Sequence, residues 1–240
     1  MAEIDYKELK KGGFMRQVQK NHFSLRLRIV GGQIKADQLQ KVTEIAQRYG
    51  QGYIHMSSRQ SIEIPFIQLQ DIDEVKKALR MVGLEPGACG PRVRTITACQ
   101  GKVVCPSGLI ETSDLAKDLD ARYFGFDLPH KFKLGITGCS NNCLKAEEND
   151  LGVKGGIKPV WQEDTCNFCG LCEVVCPVQA IQVYKNNPKA KSHQNANRPI
   201  SQTTDQTVIL DMEKCTYCGK CVKACPVEAW HGDAGFILFF

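Results

Sequence analysis

Thirteen of the 240 residues are cysteine. Twelve of them fall into short, ordered spacings. Cys99 and Cys105 form C-x5-C, and Cys139 and Cys143 form C-x3-C. Cys166, Cys169, Cys172 and Cys176 form C-x2-C-x2-C-x3-C-P, and Cys215, Cys218, Cys221 and Cys225 repeat it; Cys89 is left over. Cysteines two residues apart on a loop aim their sulfurs at a common centre, and thiolates need a cation or a cluster to hold them deprotonated. A disulfide framework belongs to an oxidising compartment and usually to a much smaller chain. The spacing therefore points to a cytoplasmic metalloprotein, of an anaerobe because exposed iron–sulfur clusters are oxygen-labile.

The repeated C-x2-C-x2-C-x3-C-P run is the bacterial two-cluster ferredoxin signature, in which the fourth cysteine of each run ligates the other run's cluster. Cys166, Cys169, Cys172 and Cys225 are expected to hold one [4Fe–4S] cluster, and Cys215, Cys218, Cys221 and Cys176 the second. Zinc is the competing metal, but its ligands normally come in two pairs, not three plus one with a following proline. Such a module carries electrons and is not itself a reaction centre. The remaining quartet, Cys99, Cys105, Cys139 and Cys143, allows a third cluster.

The setting of that quartet, TACQGKVVC and TGCSNNC, resembles the siroheme-dependent sulfite and nitrite reductases. The resemblance implies a [4Fe–4S] cluster on the four cysteines, with Cys143 bridging to the siroheme iron. It extends upstream. YIHMSSRQSIEIP resembles the family's Arg-Gln stretch, which places Arg59 at the substrate. GPRVRTITAC resembles the strand with a second anion-binding arginine, Arg94, with Arg92 as the alternate and a cofactor contact. LPHKFK resembles the paired lysines, Lys131 and Lys133. The chain is most like the catalytic C subunit of anaerobic sulfite reductase and its single-chain relatives, with a ferredoxin module inserted.

What the resemblance implies is siroheme, three [4Fe–4S] clusters and six-electron reduction of sulfite to sulfide, fed through the ferredoxin module. The alternatives are nitrite reduction to ammonia and a non-catalytic iron–sulfur electron-transfer protein. Arg59, Arg94, Lys131 and Lys133 would be the catalytic set. The KFK spelling at Lys133 favours sulfite over nitrite. The implied partners are sulfite or nitrite and a low-potential electron donor protein or subunit, in a homodimer or a multi-subunit reductase.

These side chains need a scaffold. Residues 22–31 alternate as a strand ending at Gly31-Gly32. A helix is predicted over 36–49, with Leu39, Val42 and Ile45 on one face and Gly50 as its stop. Tyr53–Met56 and Ser61–Ile67 read as strands, and Asp71 is expected to cap a helix carrying Ile72, Val75, Leu79 and Val82. This β-α-β-β-α order predicts a ferredoxin-like α+β half-domain. Strand 92–98 is expected to lead into Cys99, a helix to span Leu109–Tyr123, and strand Lys131–Thr137 to lead into Cys139; on that strand Lys131 and Lys133 would share one face. Lys185–Gln206 is polar and aperiodic and reads as a loop.

The expected fold is thus α+β: a ferredoxin-like half-domain at 1–90, a siroheme and [4Fe–4S] domain at 91–158 and a two-cluster ferredoxin domain at 159–231. The apolar segment 232–240 reads as the start of a returning strand of a longer chain. The net charge is +5, with the surplus in residues 1–159. No basic run or basic–aromatic stripe suggests nucleic acid; the surplus suits an anionic cofactor or substrate. No apolar run approaches the roughly 20 residues of a membrane span, and the polar N-terminus is not a secretion signal.

Overall fold

The computed structural model describes residues 4–184 and 206–240. The predicted loop Lys185–Gln206 lies outside the described residues except for Gln206. The chain divides into two compact units, Met1–Lys154 with Ile237–Phe240, and Gly155–Phe236.

The first unit begins with a short helix α1 (Tyr6–Lys11), whose N–H groups at Lys7 and Glu8 donate to the Asp5 carboxylate. Strands β1 (Phe14–Arg16) and β2 (His22–Arg26) follow, then helix α2 (Ala36–Tyr49), strands β3 (His55–Met56) and β4 (Ile62–Gln68), and helix α3 (Ile72–Arg80). The four strands form an antiparallel sheet in the order β1-β2-β4-β3. Strand alternation turns Phe23, Leu25 and Leu27 inward, where they meet Ile62, Ile64 and Ile67 of β4 and Val42, Ile45, Val75 and Leu79 of the helices. The predicted strand 22–31 stops at Arg26, because the chain bends into a 3-10 turn at Val30–Gly32 with Gly31 left-handed. Leu39 is exposed, and the buried face of α2 runs through Val42, Ile45 and Ala46 instead. The Asp71 side chain makes no capping hydrogen bond, since a 3-10 turn at Leu69–Asp71 runs straight into α3.

A second sheet in this unit is built on parallel pairs, β5 (Thr97–Ala98) beside β6 (Leu134–Thr137) and β6 beside β7 (Leu151–Ile157). Short helices α4 (Gly101–Val104) and α5 (Ser113–Tyr123) connect β5 to β6. Ile96, Ala98, Ile110, Ala116, Leu134 and Ile136 make its core. The strands are shorter than the sequence suggests. Val93 and Phe132 form an isolated parallel bridge, and only Thr97–Ala98 and Leu134–Thr137 are continuous strand. Lys131 and Lys133 therefore precede the strand rather than lie on it.

The second unit holds β8 (Val160–Trp161), α6 (Leu171–Val174), β9 (Ile181–Tyr184), β10 (Thr207–Leu210), α7 (Lys220–Ala224) and β11 (Trp230–His231). β9 and β10 pair antiparallel, as do β8 and β11. Its small core includes Cys172, Ile181, Val208, Cys221 and Trp230. The last strand, β12 (Ala234–Phe239), is a neighbour of β7 in the strand order β12-β7-β6-β5. No helix among the described residues is long and apolar enough to cross a membrane.

Candidate active site and cluster centres

Five cationic side chains line one cavity of about 190 Å³ in the first unit: Arg26, Arg59, Arg94, Lys131 and Lys133, together with Ser61, Ala88 and Thr95. The scaffold explains the convergence. Arg94 N–H donates to Phe132 O at 2.9 Å and Phe132 N–H to Arg92 O at 3.1 Å, so the arginine and lysine segments lie edge to edge. Lys133 is held at both ends of its peptide: its N–H donates to Asp150 Oδ2 at 2.8 Å, and its carbonyl accepts Leu151 N–H at 3.1 Å. Arg59 donates to Asn149 Oδ1 and to Thr95 O, each at 3.1 Å. Burial, and then the charges of Arg94 and Arg26, pull the Arg59 guanidinium below its usual value, with Asp150 opposing. Arg94 donates to Ala88 O and Gly90 O, which leaves its buried Nε without a partner.

Arg92, the alternate to Arg94, sits elsewhere. Its Nε lies 2.9 Å from Asp127 Oδ1, and it lines a different cavity with Lys11, Lys76 and Arg80. Arg26 was absent from the sequence-derived set. A signal for it exists: in HFSLRLR the alternation that buries Phe23, Leu25 and Leu27 turns Arg26 to the opposite face. Its cross-strand partner is Glu63.

The cavity is tied to the first cysteine pair by Gln60, next to Arg59. Its carboxamide donates to Ala98 O and accepts from Ala98 N–H, both at 2.9 Å, one residue before Cys99. Asp120, only 1% exposed, accepts from Ile96 N–H and from Arg28 Nε, and so fixes the same strand from the α5 side. Cys99 Sγ accepts Gly138 N–H at 3.0 Å, which brings the loop of Cys139 onto the first pair. The approach is close: a Cβ on Gly138 would stand 3.1 Å from Gly101 Cα and 3.4 Å from Cys99 Sγ. Cys139 is buried, Cys99 and Cys105 are half-buried, and Cys143 is exposed at the far end of its turn.

In the second unit the two repeated runs interleave. One cavity is lined by Cys166, Cys169, Cys172 and Cys225, the other by Cys215, Cys218, Cys221 and Cys176. The repeat extends to the backbone. Phe168 and Tyr217, Gly170 and Gly219, and Gln179 and Glu228 occupy matching positions, and all six have positive φ. Left-handed residues curl a loop so that successive N–H groups face inward, a nest suited to anionic sulfur. Ala180 N–H donates to Cys176 Sγ and Ala229 N–H to Cys225 Sγ, each at 3.2 Å. Burial pushes the Cys172 and Cys215 thiols up and Cys221 to about 11. Such thiols become thiolates only when a metal centre supplies positive charge. Among the described residues no group of three or more His, Cys, Asp or Glu side chains is close enough to hold a single metal ion. The sulfurs line cavities instead, an arrangement that fits a polynuclear cluster better than zinc.

Three family models match the chain. The nitrite/sulfite reductase ferredoxin-like half domain matches residues 15–82, and the nitrite and sulphite reductase 4Fe-4S domain matches residues 89–190. The chain belongs to the nitrite and sulfite reductase family. A 4Fe-4S dicluster domain matches residues 165–229, so this family member carries iron–sulfur domains in both of its cysteine-rich regions. It is 34% identical over 173 residues to the coenzyme F420-dependent sulfite reductase of Methanocaldococcus jannaschii, covering 72% of this chain and 28% of that one. It is 33% identical over 169 residues to the C subunit of the anaerobic sulfite reductase of Salmonella typhimurium, covering 65% and 50%. Among solved structures, dissimilatory sulfite reductase I matches 90% of this chain and 53% of its own, with a TM-score of 0.62 at 19% identity. That likeness bears out the α+β fold. The chain thus spans well under two thirds of the length of these relatives.

Proposed function

We propose that this chain reduces sulfite to sulfide, with Arg26, Arg59, Arg94, Lys131 and Lys133 binding the oxyanion and supplying its protons. The observation that carries the reading is the convergence of these five cations on one cavity, braced by Gln60 against the strand that enters Cys99. Siroheme, together with a [4Fe–4S] cluster that Cys99, Cys105, Cys139 and Cys143 would hold, would supply iron to bind sulfur and electrons one at a time. Two further [4Fe–4S] clusters, on Cys166, Cys169, Cys172 and Cys225 and on Cys215, Cys218, Cys221 and Cys176, would make the second unit the entry for electrons from a low-potential donor.

The protein side of the chemistry follows from charge and geometry. A dianion and a polycarboxylate macrocycle repel each other unless cations stand between them. Arginine forks are permanent, planar donors to oxyanion oxygens. Lysine ammonium groups bind as point charges and can also release protons when crowded by like charge, as loss of each oxygen as water requires. The unpartnered Nε of Arg94 is a donor with no acceptor in the protein, which suits a bound oxyanion or a carboxylate of the macrocycle. Protein purified without oxygen and assayed with a reduced low-potential dye should consume sulfite with formation of sulfide, and should show about twelve cluster irons and a siroheme absorption band. Eight cluster irons without a haem band would leave an electron carrier; nitrite consumed in preference to sulfite would reassign the substrate.

A further inference from the structure

The cations of the cavity are not equally held. Arg26 on β2 faces Glu63 directly across the sheet on β4, on the side away from the hydrophobic core. Arg26 donates to Glu63 Oε1 from Nε at 2.8 Å and from Nη2 at 2.5 Å, and Cys89 Sγ accepts from Nη1 at 3.7 Å. A guanidinium has five N–H donors in a rigid fork. Three are spent here, which leaves one on each terminal nitrogen. Two N–H groups on adjacent nitrogens are what a bidentate oxyanion contact needs. Glu63 therefore grips the inner edge of Arg26 and leaves the outer edge for the cavity that Arg26 lines.

Glu63 also carries charge. Its side chain is 14% exposed, so water screens it weakly. A carboxylate beside an anion site penalises a bound dianion twice as much as a bound monoanion, because the Coulomb energy scales with ligand charge. We propose that Glu63 is a positioning residue for Arg26 and sets how strongly the cavity prefers doubly over singly charged oxyanions. This rests on the reading of the cavity as an oxyanion site. It adds a residue outside the cavity lining that tempers five converging cations.

The test uses the anaerobic holoprotein and titration calorimetry with sulfite and nitrite, in mildly alkaline buffer where sulfite is a dianion and nitrite a monoanion. Glu63→Gln keeps an oxygen for Arg26 and removes the charge. Its sulfite-to-nitrite affinity ratio should rise roughly 3- to 30-fold. Glu63→Ala has the same charge as Glu63→Gln but frees Arg26, and should bind both anions about tenfold or more weakly than the Gln variant does. Melting temperature and iron content report whether each variant is folded; Glu63→Gln is close to isosteric and carries the charge test by itself. An unchanged ratio in folded Glu63→Gln would overturn the charge role, and equal affinities for the Gln and Ala variants would overturn the positioning role. Wild-type protein that binds neither anion would overturn the oxyanion reading and this role with it.

Discussion

Gln60 is the side chain whose removal should cost most for its size. Ala98 belongs to β5, the edge strand of its sheet, and its own N–H and C=O point away from β6. The Gln60 carboxamide takes both, at 2.9 Å each, in place of a missing neighbouring strand. Ala98 is 1% exposed, so water has little access to either group once Gln60 is truncated. Leaving a buried donor or acceptor unsatisfied costs about 1–3 kcal/mol, so Gln60→Ala, which orphans one of each, should lose about 2–6 kcal/mol. For a chain of this size that is roughly a 5–15 °C fall in melting temperature. The loss should be felt at the next residue, Cys99, as reduced iron content per chain. Gln60→Glu retains an acceptor for Ala98 N–H but sets a carboxylate oxygen against Ala98 O, and should be no better than Ala. Denaturant unfolding without oxygen, paired with iron analysis, measures both. A loss below about 0.5 kcal/mol with full iron content would show that the carboxamide does not brace the cluster strand.

Three further outcomes are expected. Lys133→Asn should lower sulfite turnover on the order of 10- to 1000-fold, and nitrite turnover less, if the ammonium both binds the more highly charged anion and delivers protons; equal losses in parallel steady-state assays would exclude Lys133 from substrate choice. Trp230 lines the cavity of Cys166, Cys169, Cys172 and Cys225, and its buried indole N–H has no acceptor in the protein, so it is free to donate to a cluster held there; Trp230→Phe should lower that cluster's potential by roughly 20–60 mV, a hydrogen bond to sulfur being one lever on such potentials, as read by redox titration of the paramagnetic signal. Burial tends to raise the Glu147 carboxyl, but hydrogen bonds from Lys154 and Asn142 outweigh it and hold the group below its ordinary value of 4.5. A carboxyl depressed in the folded state stabilises fully above its unfolded value and loses that contribution as pH falls through the folded one. The melting-temperature gap between wild type and Glu147→Gln should therefore be widest near neutral pH and close in acid.

The cysteines were legible because ligand spacing is a local property of sequence. The interleaving of the two repeated runs follows from the same spacing, and the structure lines each cavity with three sulfurs of one run and one of the other. The bounds of helix α2 were legible to the residue, because periodicity and a glycine stop are local, although Leu39 of the predicted face is exposed and Ala46 is buried instead. Strand ends were not. β2 ends at Arg26 and β6 starts only at Leu134, since a strand's extent is set by the partner it pairs with and not by its own alternation. Arg26, Glu63 and Gln60 escaped for a related reason. Each pairs with a residue distant in sequence, Arg26 with Glu63 across a sheet and Gln60 with Ala98 on a strand edge; alternation marks the face of Arg26, but nothing local marks the partner of any of the three. Lys131 and Lys133 reach the cavity without the shared strand face that their spacing suggested, because the bridge at Val93 and Phe132 sets their direction.

The crowding of positive charge in the first unit bears on how the protein matures. Arg59 is already destabilised as a cation by burial and by Arg94 and Arg26, so a newly made chain must close the pocket against its own repulsion. Anything anionic that fills the pocket relieves this and adds to stability by mass action. Folding and the filling of this pocket by an anion are then one equilibrium. Were the proposed macrocycle the anion that fills the pocket, chains made faster than it is supplied would linger in a looser, protease-sensitive form.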